Sequence, residues 1–337
     1  MAEMLAGRLH VGERALRMES VPVPEPGRGQ LRIRVMAAGV CLSDVHLVDG
    51  TLTPVHLAGN VVTLGHEVAG TVDALGDGVE GWQLGQRVLL QAGERDRRGT
   101  VLTRGVDYDG GWAEYALARE DTVMPIPDAL PFEQACIIPD AVSTPWAAVT
   151  DTARTRAGEA VAVWGVGGLG AHAVQLLLLV GAAPVIAVDP LPAARGRALT
   201  LGADLALDPK DGAFRDAVLD VTNARGLDVA FDFAGVTPAR EQAMTVLGRQ
   251  GRLVLTGIAN QPVTIPSDSR FNYSRQAVLG HYGSEPEHVE QLVSLAAQGR
   301  LDLTASVSDV LPLTDAAEAV RRVHDKEGDP IRLVLRP

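Results

Sequence analysis

A long apolar stretch of the chain runs from Ala160 to Val188 and contains no Asp, Glu, Lys or Arg. Its length would allow a membrane span, which takes ~20 residues. Glycines divide it, however. A β-rich run at Val161–Val163 leads into a glycine cluster, helix-forming residues occupy Leu169–Val180, and a second β-rich run covers Val185–Val188. The pattern therefore favours a strand, a glycine turn, a helix and a strand, which together form a βαβ unit.

Strand and helix patterns continue to alternate after this unit. Such alternation is typical of folds with a parallel sheet. The predicted helices are Pro192–Leu201, Ala213–Ala224 and Pro238–Leu247, and the predicted strands are Asp204–Leu207, Val229–Phe233, Arg252–Thr256 and Ala277–Gly280. We therefore expect a doubly wound parallel sheet that ends with Ala277–Gly280.

The chain before Thr150 follows a different pattern, in which short alternating apolar runs are separated by Gly, Pro and Asp. Frequent short strands of this kind predict a compact β-rich domain. The clearest of them are Leu31–Val35, Val68–Leu75, Arg87–Leu90 and Trp112–Leu117. The tail of the chain predicts a helix at Glu285–Gln298, followed by a strand, a helix at Thr314–His324 and a final strand. We expect the tail to return to the first domain, so that residues 1–148 and 282–337 form one domain and residues 149–281 form the other.

Composition narrows the class of protein. With 337 residues and 46% hydrophobic content, the chain is long enough for two domains with separate cores. A formal net charge of −12 argues against a nucleic-acid surface. The first residues include no apolar run of the secretory type, and the chain has two cysteines, Cys41 and Cys136. We therefore expect a cytoplasmic protein with reduced thiols, without a nucleic-acid or membrane partner.

The glycine cluster has the spacing of a dinucleotide-binding fingerprint. Glycines at these positions permit the tight turn, the approach of the backbone to a pyrophosphate and the packing of helix on strand. Asp189 ends the second strand at about the spacing expected for a carboxylate that binds the ribose 2′-hydroxyl. Because a carboxylate repels a 2′-phosphate, we predict NAD rather than NADP. The loop would bind it through Gly165, Gly167, Gly168, Leu169 and Gly170.

Three further segments carry chemically active residues. Residues 41–46 (CLSDVH) lie in an expected loop, Gly65-His66-Glu67 precedes a strand, and Pro139-Asp140 precedes a helix. Each is ordinary by itself, since a lone cysteine is usually a small buried hydrophobe and an aspartate before a helix is usually a cap. Together with the glycine fingerprint they resemble the zinc-dependent medium-chain alcohol dehydrogenase family, over essentially the whole chain. The resemblance implies an α/β chain with a GroES-like β-rich catalytic domain and a Rossmann domain.

This resemblance implies a catalytic zinc held by Cys41, His66 and Asp140, with the fourth position open to water or an alcohol. Aspartate as the third ligand is closest to the bacterial secondary-alcohol dehydrogenases. By the same resemblance, Glu67 would lie beside the metal and bind it transiently during ligand exchange. Asp44 would orient His66 through its other ring nitrogen.

The resemblance also implies a proton path and contacts to the cofactor. Ser43 would take the proton of the alcohol and pass it by way of the nicotinamide ribose to His46, since histidine titrates near neutral pH and can release the proton to solvent. Thr144 would contact the nicotinamide. Arg332, in the terminal strand, would meet the pyrophosphate.

The chain departs from the family in one lobe. Many members have four closely spaced cysteines that bind a structural zinc, but this chain has no cysteine between Gln86 and Trp112 and carries a short charged loop at Gly93–Gly99. We therefore predict one zinc per chain and no structural metal. Ala92 stands about where several relatives place a bulky aromatic residue against the substrate, which favours a larger alcohol.

The leading prediction is an NAD-dependent zinc oxidoreductase that interconverts a secondary, cyclic or otherwise bulky alcohol and a ketone or aldehyde. The alternatives are a polyol or amino-alcohol dehydrogenase of the same superfamily, a metal-free reductase, and a silent protein that only binds NAD. The resemblance further implies a homodimer or homotetramer, paired through the edge strand Ala277–Gly280.

Overall fold

The computed structural model describes residues 2–258 and 261–337, and its backbone divides into two units. Unit 1 consists of the residues up to Ala141 together with Glu285–Pro337, and unit 2 consists of Val142–Ser284. The domain boundaries predicted from the sequence, 148/149 and 281/282, lie a few residues away.

The first part of unit 1 is mainly β-structure. In its longest strand, Leu31, Ile33 and Val35 are buried whereas Arg32 and Arg34 between them are not, which is the two-residue period of a strand with one face on the core. The helices are α1 (Leu42–Asp49) and α2 (Phe132–Ala135). The strands are β1 (Glu3–His10), β2 (Ala15–Pro22), β3 (Gln30–Val40), β4 (Val61–Thr63), β5 (Val68–Leu75), β6 (Arg87–Leu90), β7 (Gly93–Arg95), β8 (Val101–Thr103), β9 (Tyr115–Arg119) and β10 (Val123–Pro125).

Unit 2 alternates between strands and helices. Its first helix, α3 (Ser143–Ala147), is flanked by π-helical turns at Ile138–Val142 and Ala148–Thr152. The remaining elements are β11 (Val161–Trp164), α4 (Gly170–Leu179), β12 (Val185–Val188), α5 (Pro192–Thr200), β13 (Leu205–Leu207), α6 (Phe214–Val221), β14 (Leu227–Asp232), α7 (Thr237–Val246), β15 (Leu247–Leu255), α8 (Asp268–Ser274) and β16 (Ala277–Gly280).

The tail of the chain belongs to unit 1. It contains α9 (Pro286–Ala297), β17 (Val307–Pro312), α10 (Ala316–His324) and β18 (Arg332–Arg336). The main sheet of unit 1 has the order β10-β6-β5-β3-β18-β17, and β9 also pairs with β3. Leu333 of β18 is opposite Val40 of β3 in an antiparallel pair, so the last strand of the chain lies beside the strand that leads into α1. A second sheet has the order β2-β1-β4, and β7 and β8 form a hairpin.

The sheet of unit 2 is parallel, with the order β13-β12-β11-β14-β15-β16. All four residues of β11 are buried, which explains why its sequence is apolar without alternation. β11 and β12 are neighbours joined through α4, so the βαβ unit is confirmed. The predicted fold class, a β-rich domain with a doubly wound parallel sheet, is confirmed as well.

Two of the differences from the sequence-based expectations concern the segment Trp112–Leu117 and the helix α8. The strand expected at Trp112–Leu117 begins only at Tyr115, because Trp112 is a fully buried core residue whose indole donates to the Gly39 carbonyl. The helix α8 was not predicted. It has no buried residue, so no apolar stripe marks it in the sequence.

The apolar run Ala160–Val188 is divided among β11, α4 and β12. Within residues 2–258 and 261–337, no helix has the length and apolar character that crossing a bilayer requires.

Candidate functional site

Three side chains from distant parts of unit 1 meet at one point. Cys41 follows β3, His66 precedes β5, and Asp140 lies in the π-helical turn before α3. The Sγ of Cys41 and the Nε2 of His66 each lie 3.4 Å from Oδ2 of Asp140. Among the residues that the structure describes, these three form the one group of His, Cys and acidic side chains placed to hold a metal ion, with ligand atoms within 4.8 Å of one another.

The donor set and its spacing fit zinc. Sulfur, imidazole nitrogen and carboxylate oxygen are its usual ligands, and tetrahedral bonds of about 2.0–2.3 Å place neighbouring donors roughly 3.5 Å apart. His66 Nδ1 and Asp44 Oδ1 are buried, lie 3.7 Å apart and have no hydrogen-bond partner. A metal on Nε2 would leave the hydrogen on Nδ1, facing this carboxylate, as in the carboxylate–histidine pairs of zinc sites.

The electrostatics of the cluster also fit a cation. Burial lowers the pKa of His66, but the Asp44 and Asp140 carboxylates outweigh burial and hold that pKa well above its ordinary value. Burial raises the pKa of Asp44, which is fully enclosed. A buried group this rich in carboxylates suits a divalent ion.

The segment 41–46 is not the loop expected from the sequence, because Leu42–Asp49 forms the helix α1. The Asp44 carboxylate accepts a hydrogen bond from the Cys41 amide at 2.8 Å, which caps the first turn, and Gly50 ends the helix in the left-handed conformation. This eight-residue helix has only a weak apolar face, so its caps are the main signal in the sequence. The helix carries Ser43 and His46, and the Ser43 hydroxyl lies 3.7 Å from the Cys41 sulfur.

Glu67 lies beside the three ligands and is fully buried. Its Oε1 accepts from the Ala141 amide at 3.1 Å, and a β-carbon at position 39 would lie 1.8 Å from its Oε2, so Gly39 leaves the space that this side chain needs. Burial raises the pKa of Glu67 to about 8, against the opposing effect of Arg332.

Arg332 is also buried, and its Nη2 lies 2.8 Å from Glu67 Oε1 and 3.5 Å from Asp140 Oδ2. The family resemblance predicts that Arg332 meets a pyrophosphate, and no motif in the sequence indicates its ion pair with Glu67, which joins residues far apart in the chain. The pyrophosphate contact stays a prediction.

The glycine turn of unit 2 has the geometry that its spacing predicts. Gly165 has a φ of +85°, and a β-carbon at Gly170 would lie 1.8 Å from the Gly165 carbonyl oxygen, so α4 starts in close contact with the turn. A β-carbon at Gly167 would meet no atom within 4 Å. The turn therefore leaves open space beside Gly167, next to Gly168, Leu169 and the N-terminus of α4, which is a favourable place for an anion.

The Asp189 carboxylate links the glycine turn to the turn that follows β12. It is mostly buried, its Oδ2 accepts from the Val166 amide at 2.9 Å, and its Oδ1 accepts from the Leu191 amide at 2.8 Å. The carboxylate thus has a fixed position at the end of β12.

Thr144 lies in α3 and is buried. Its carbonyl oxygen is 2.9 Å from Nε2 of His281, a residue that the sequence analysis did not single out. No spacing motif links these two positions, so this contact could not be predicted from the sequence.

The lobe without cysteines forms the β7–β8 hairpin, whereas a plain loop was expected. The guanidinium of Arg104 is fully buried beneath it, where it donates to the Leu117 carbonyl at 2.8 Å and lies over the Tyr108 ring at 5.2 Å. The Arg104 side chain therefore packs at the base of the β7–β8 hairpin.

Comparison with known proteins gives consistent matches. Residues 27–128 match the family model described as alcohol dehydrogenase GroES-like domain, and residues 168–298 match that of zinc-binding dehydrogenase. The chain is 27% identical to a sorbitol dehydrogenase of Bacillus subtilis (strain 168), over 99% of this chain and 97% of that protein. It is 30% identical to an NDMA-dependent alcohol dehydrogenase of Amycolatopsis methanolica, over 98% of each. A crystal structure of an alcohol dehydrogenase from Aeropyrum pernix has a TM-score of 0.89 and 31% identity, covering 99% of this chain and 100% of that one.

Proposed function

Because the chain belongs to the zinc-dependent medium-chain alcohol dehydrogenase family, we propose that it interconverts an alcohol and a ketone or aldehyde, with NAD as the redox partner and one zinc per chain. The observation that carries the proposal is the convergence of Cys41, His66 and Asp140 in unit 1. The glycine turn and Asp189 in unit 2 support the choice of cofactor.

Zinc at these three side chains would supply a Lewis acid that lowers the pKa of an alcohol hydroxyl. Asp44 orients His66, and its carboxylate also caps the helix that begins after Cys41, so it fixes two ligands. Glu67 is held by Arg332 and the Ala141 amide, and it stays beside the ligands as a reserve carboxylate for ligand exchange.

Ser43 and His46 provide the route for the proton. Both lie on α1 and are partly exposed, and the Ser43 hydroxyl is close to the Cys41 sulfur. Ser43 would accept the proton released by the alcohol. His46, a partly exposed histidine on the same short helix, would deliver it to solvent.

NAD would lie with its pyrophosphate at the glycine turn, facing Gly165, Gly167, Gly168, Leu169 and Gly170, and would supply the hydride acceptor. The Asp189 carboxylate favours a free ribose 2′-hydroxyl over a 2′-phosphate. Thr144 would contact the nicotinamide, and Arg332 remains a candidate for the pyrophosphate.

For the substrate we propose a secondary, cyclic or otherwise bulky alcohol. The support is the small side chain of Ala92 and the compact β7–β8 hairpin that stands where many relatives carry a metal-binding lobe. A polyol is the second candidate, favoured by the similarity to a sorbitol dehydrogenase along nearly the whole chain.

A substrate panel tests this proposal. Secondary, cyclic and polyhydric alcohols are each supplied with NAD and with NADP, and reduced cofactor is followed by absorbance. We expect oxidation of at least one secondary or cyclic alcohol, with kcat/KM at least about 100-fold higher for NAD than for NADP, because a buried carboxylate beside a 2′-phosphate opposes its binding. Turnover of polyols alone would select the second candidate. Binding of NADH with no turnover of any alcohol would support the alternative of a catalytically silent protein that only binds NAD.

A further inference from the structure

The segment that ends unit 2 is tied to the segment that begins it. His281 directly follows β16, and its ring lies between two residues of the helical segment 143–152. The Nε2 is 2.9 Å from the Thr144 carbonyl oxygen, and Nδ1 is 2.8 Å from the Thr152 hydroxyl. A few residues further on, the Ser284 hydroxyl donates to the Ser143 hydroxyl at 2.8 Å. Two consecutive residues at the start of unit 2 are therefore both held by its last residues.

These partners define the protonation of the neutral ring. A carbonyl oxygen can only accept, so the hydrogen of His281 is on Nε2 and is donated to Thr144. The Nδ1 of the neutral ring is then an acceptor, and it takes the hydroxyl hydrogen of Thr152. One side chain thus satisfies a donor and an acceptor roughly two helical turns apart.

The far end of the helical segment has its own anchor. Arg252 of β15 donates from Nε to the Ala153 carbonyl at 2.6 Å and pairs with Glu159 at 2.7 Å. The helix α3, which carries Thr144, lies between two π-helical turns, Ile138–Val142 and Ala148–Thr152. Such turns interrupt the regular hydrogen-bond ladder of an α-helix. The contacts from His281 and Ser284 therefore hold the backbone at Ser143 and Thr144 in addition to the hydrogen bond that the Thr144 carbonyl accepts from the Ala148 amide.

We propose that His281 is a positioning residue for the cofactor: by holding the Thr144 carbonyl it fixes where the Thr144 side chain meets the nicotinamide, and so the alignment for hydride transfer. This inference rests on the proposed function, in which Thr144 is that contact. His281 acts through Thr144 and takes no part in moving the alcohol proton.

The test uses His281→Phe, which keeps a ring of similar size but removes both nitrogens, and His281→Gln, which keeps an N–H donor for the Thr144 carbonyl. Each is compared with wild type in NADH affinity by fluorescence, in kcat and KM for NAD, and in melting temperature. Loss of a hydrogen bond of ordinary strength corresponds to about a tenfold effect. We expect the Phe variant to bind NADH about tenfold more weakly and to lose about tenfold in kcat, whereas the Gln variant stays within about threefold of wild type in both.

Thr152→Val removes the hydroxyl that donates to Nδ1 of His281. Thr222→Val is its matched control. Thr222 lies in unit 2, and its hydroxyl donates to the Val218 carbonyl, away from Thr144. We expect both substitutions to lower the melting temperature, but only Thr152→Val to weaken NADH binding.

The outcomes separate the inference from the proposal beneath it. If wild type binds NADH and His281→Phe lowers only the melting temperature, His281 is merely structural and the inference is overturned, while the proposed function stands. A wild-type chain that binds no NADH overturns both.

Discussion

Asp140→Ala should keep the fold and lose the metal, and with it at least about 10³-fold in kcat/KM for the alcohol, since Lewis-acid catalysis contributes several kcal/mol and each 1.36 kcal/mol is tenfold in rate. In the proposed zinc site Asp140 would supply one of three ligand atoms, and the two remaining donors would hold zinc far more weakly. The fold should survive because Arg332 keeps its contact with Glu67. Elemental analysis, circular dichroism and steady-state kinetics on the same preparation measure all three quantities.

Two controls separate the loss of metal from other causes. Asp128→Ala removes a fully exposed carboxylate of unit 1 and should change neither zinc content nor rate. Ser43→Ala should retain zinc but lose about 10²–10⁴-fold in kcat, as expected for a proton acceptor. An Asp140→Ala protein with full zinc and full activity would rule out this ligand assignment.

Gly170→Ala should be the most disruptive single methyl addition in unit 2. The new β-carbon would lie 1.8 Å from the Gly165 carbonyl oxygen, a backbone atom that cannot move aside without displacing α4 or the turn. Overpacking of this kind costs about 1–3 kcal/mol or more. We expect a clearly lower melting temperature and, because the helix N-terminus is displaced, at least about 100-fold weaker NADH binding.

Gly167→Ala separates the fold from the cofactor site. Its methyl group would enter open space, so the melting temperature should stay unchanged, but NADH should bind at least about tenfold more weakly because the methyl occupies the approach of the pyrophosphate. Gly212→Ala, also in open space, should affect neither quantity. Unchanged NADH affinity in Gly167→Ala would place the cofactor elsewhere.

The parallel sheet of unit 2 was predictable from the sequence because its signals are local. In β11, α4 and β12 the apolar residues, glycines and turn residues follow one another within thirty positions, and each neighbour in the chain is a neighbour in space. The Gly165–Gly170 spacing is local for the same reason.

The contacts around the candidate zinc site were harder to predict from the sequence, because they join residues far apart in the chain. Periodicity gives no information on which side chains meet across such separations. The family resemblance brought Cys41, His66 and Asp140 together as ligands, but it did not reveal the pairing of Arg332 with Glu67. The tie between His281 and Thr144 joins positions on different elements, and neither residue lies in a motif.

The helix α1 was missed for a different reason. Its sequence has no clear apolar stripe, and it forms because Asp44 caps its first turn and Gly50 ends it. The cysteine before it is typical of a ligand loop, and the capping residues Asp44 and Gly50 are the main indication of a helix. The helix places Ser43 and His46 on one element, as the proposed proton route requires.

Zinc content of the purified chain, measured together with NAD-linked alcohol oxidation, shows whether Cys41, His66 and Asp140 hold a catalytic zinc. The samples are the chain as purified, after chelation, and after addition of zinc or magnesium. A catalytic zinc at this site predicts about one zinc per chain, activity that disappears with the metal, and recovery with zinc but not magnesium, since cysteine and histidine ligands select the softer ion. Alcohol oxidation at an undiminished rate by the metal-free chain would contradict it.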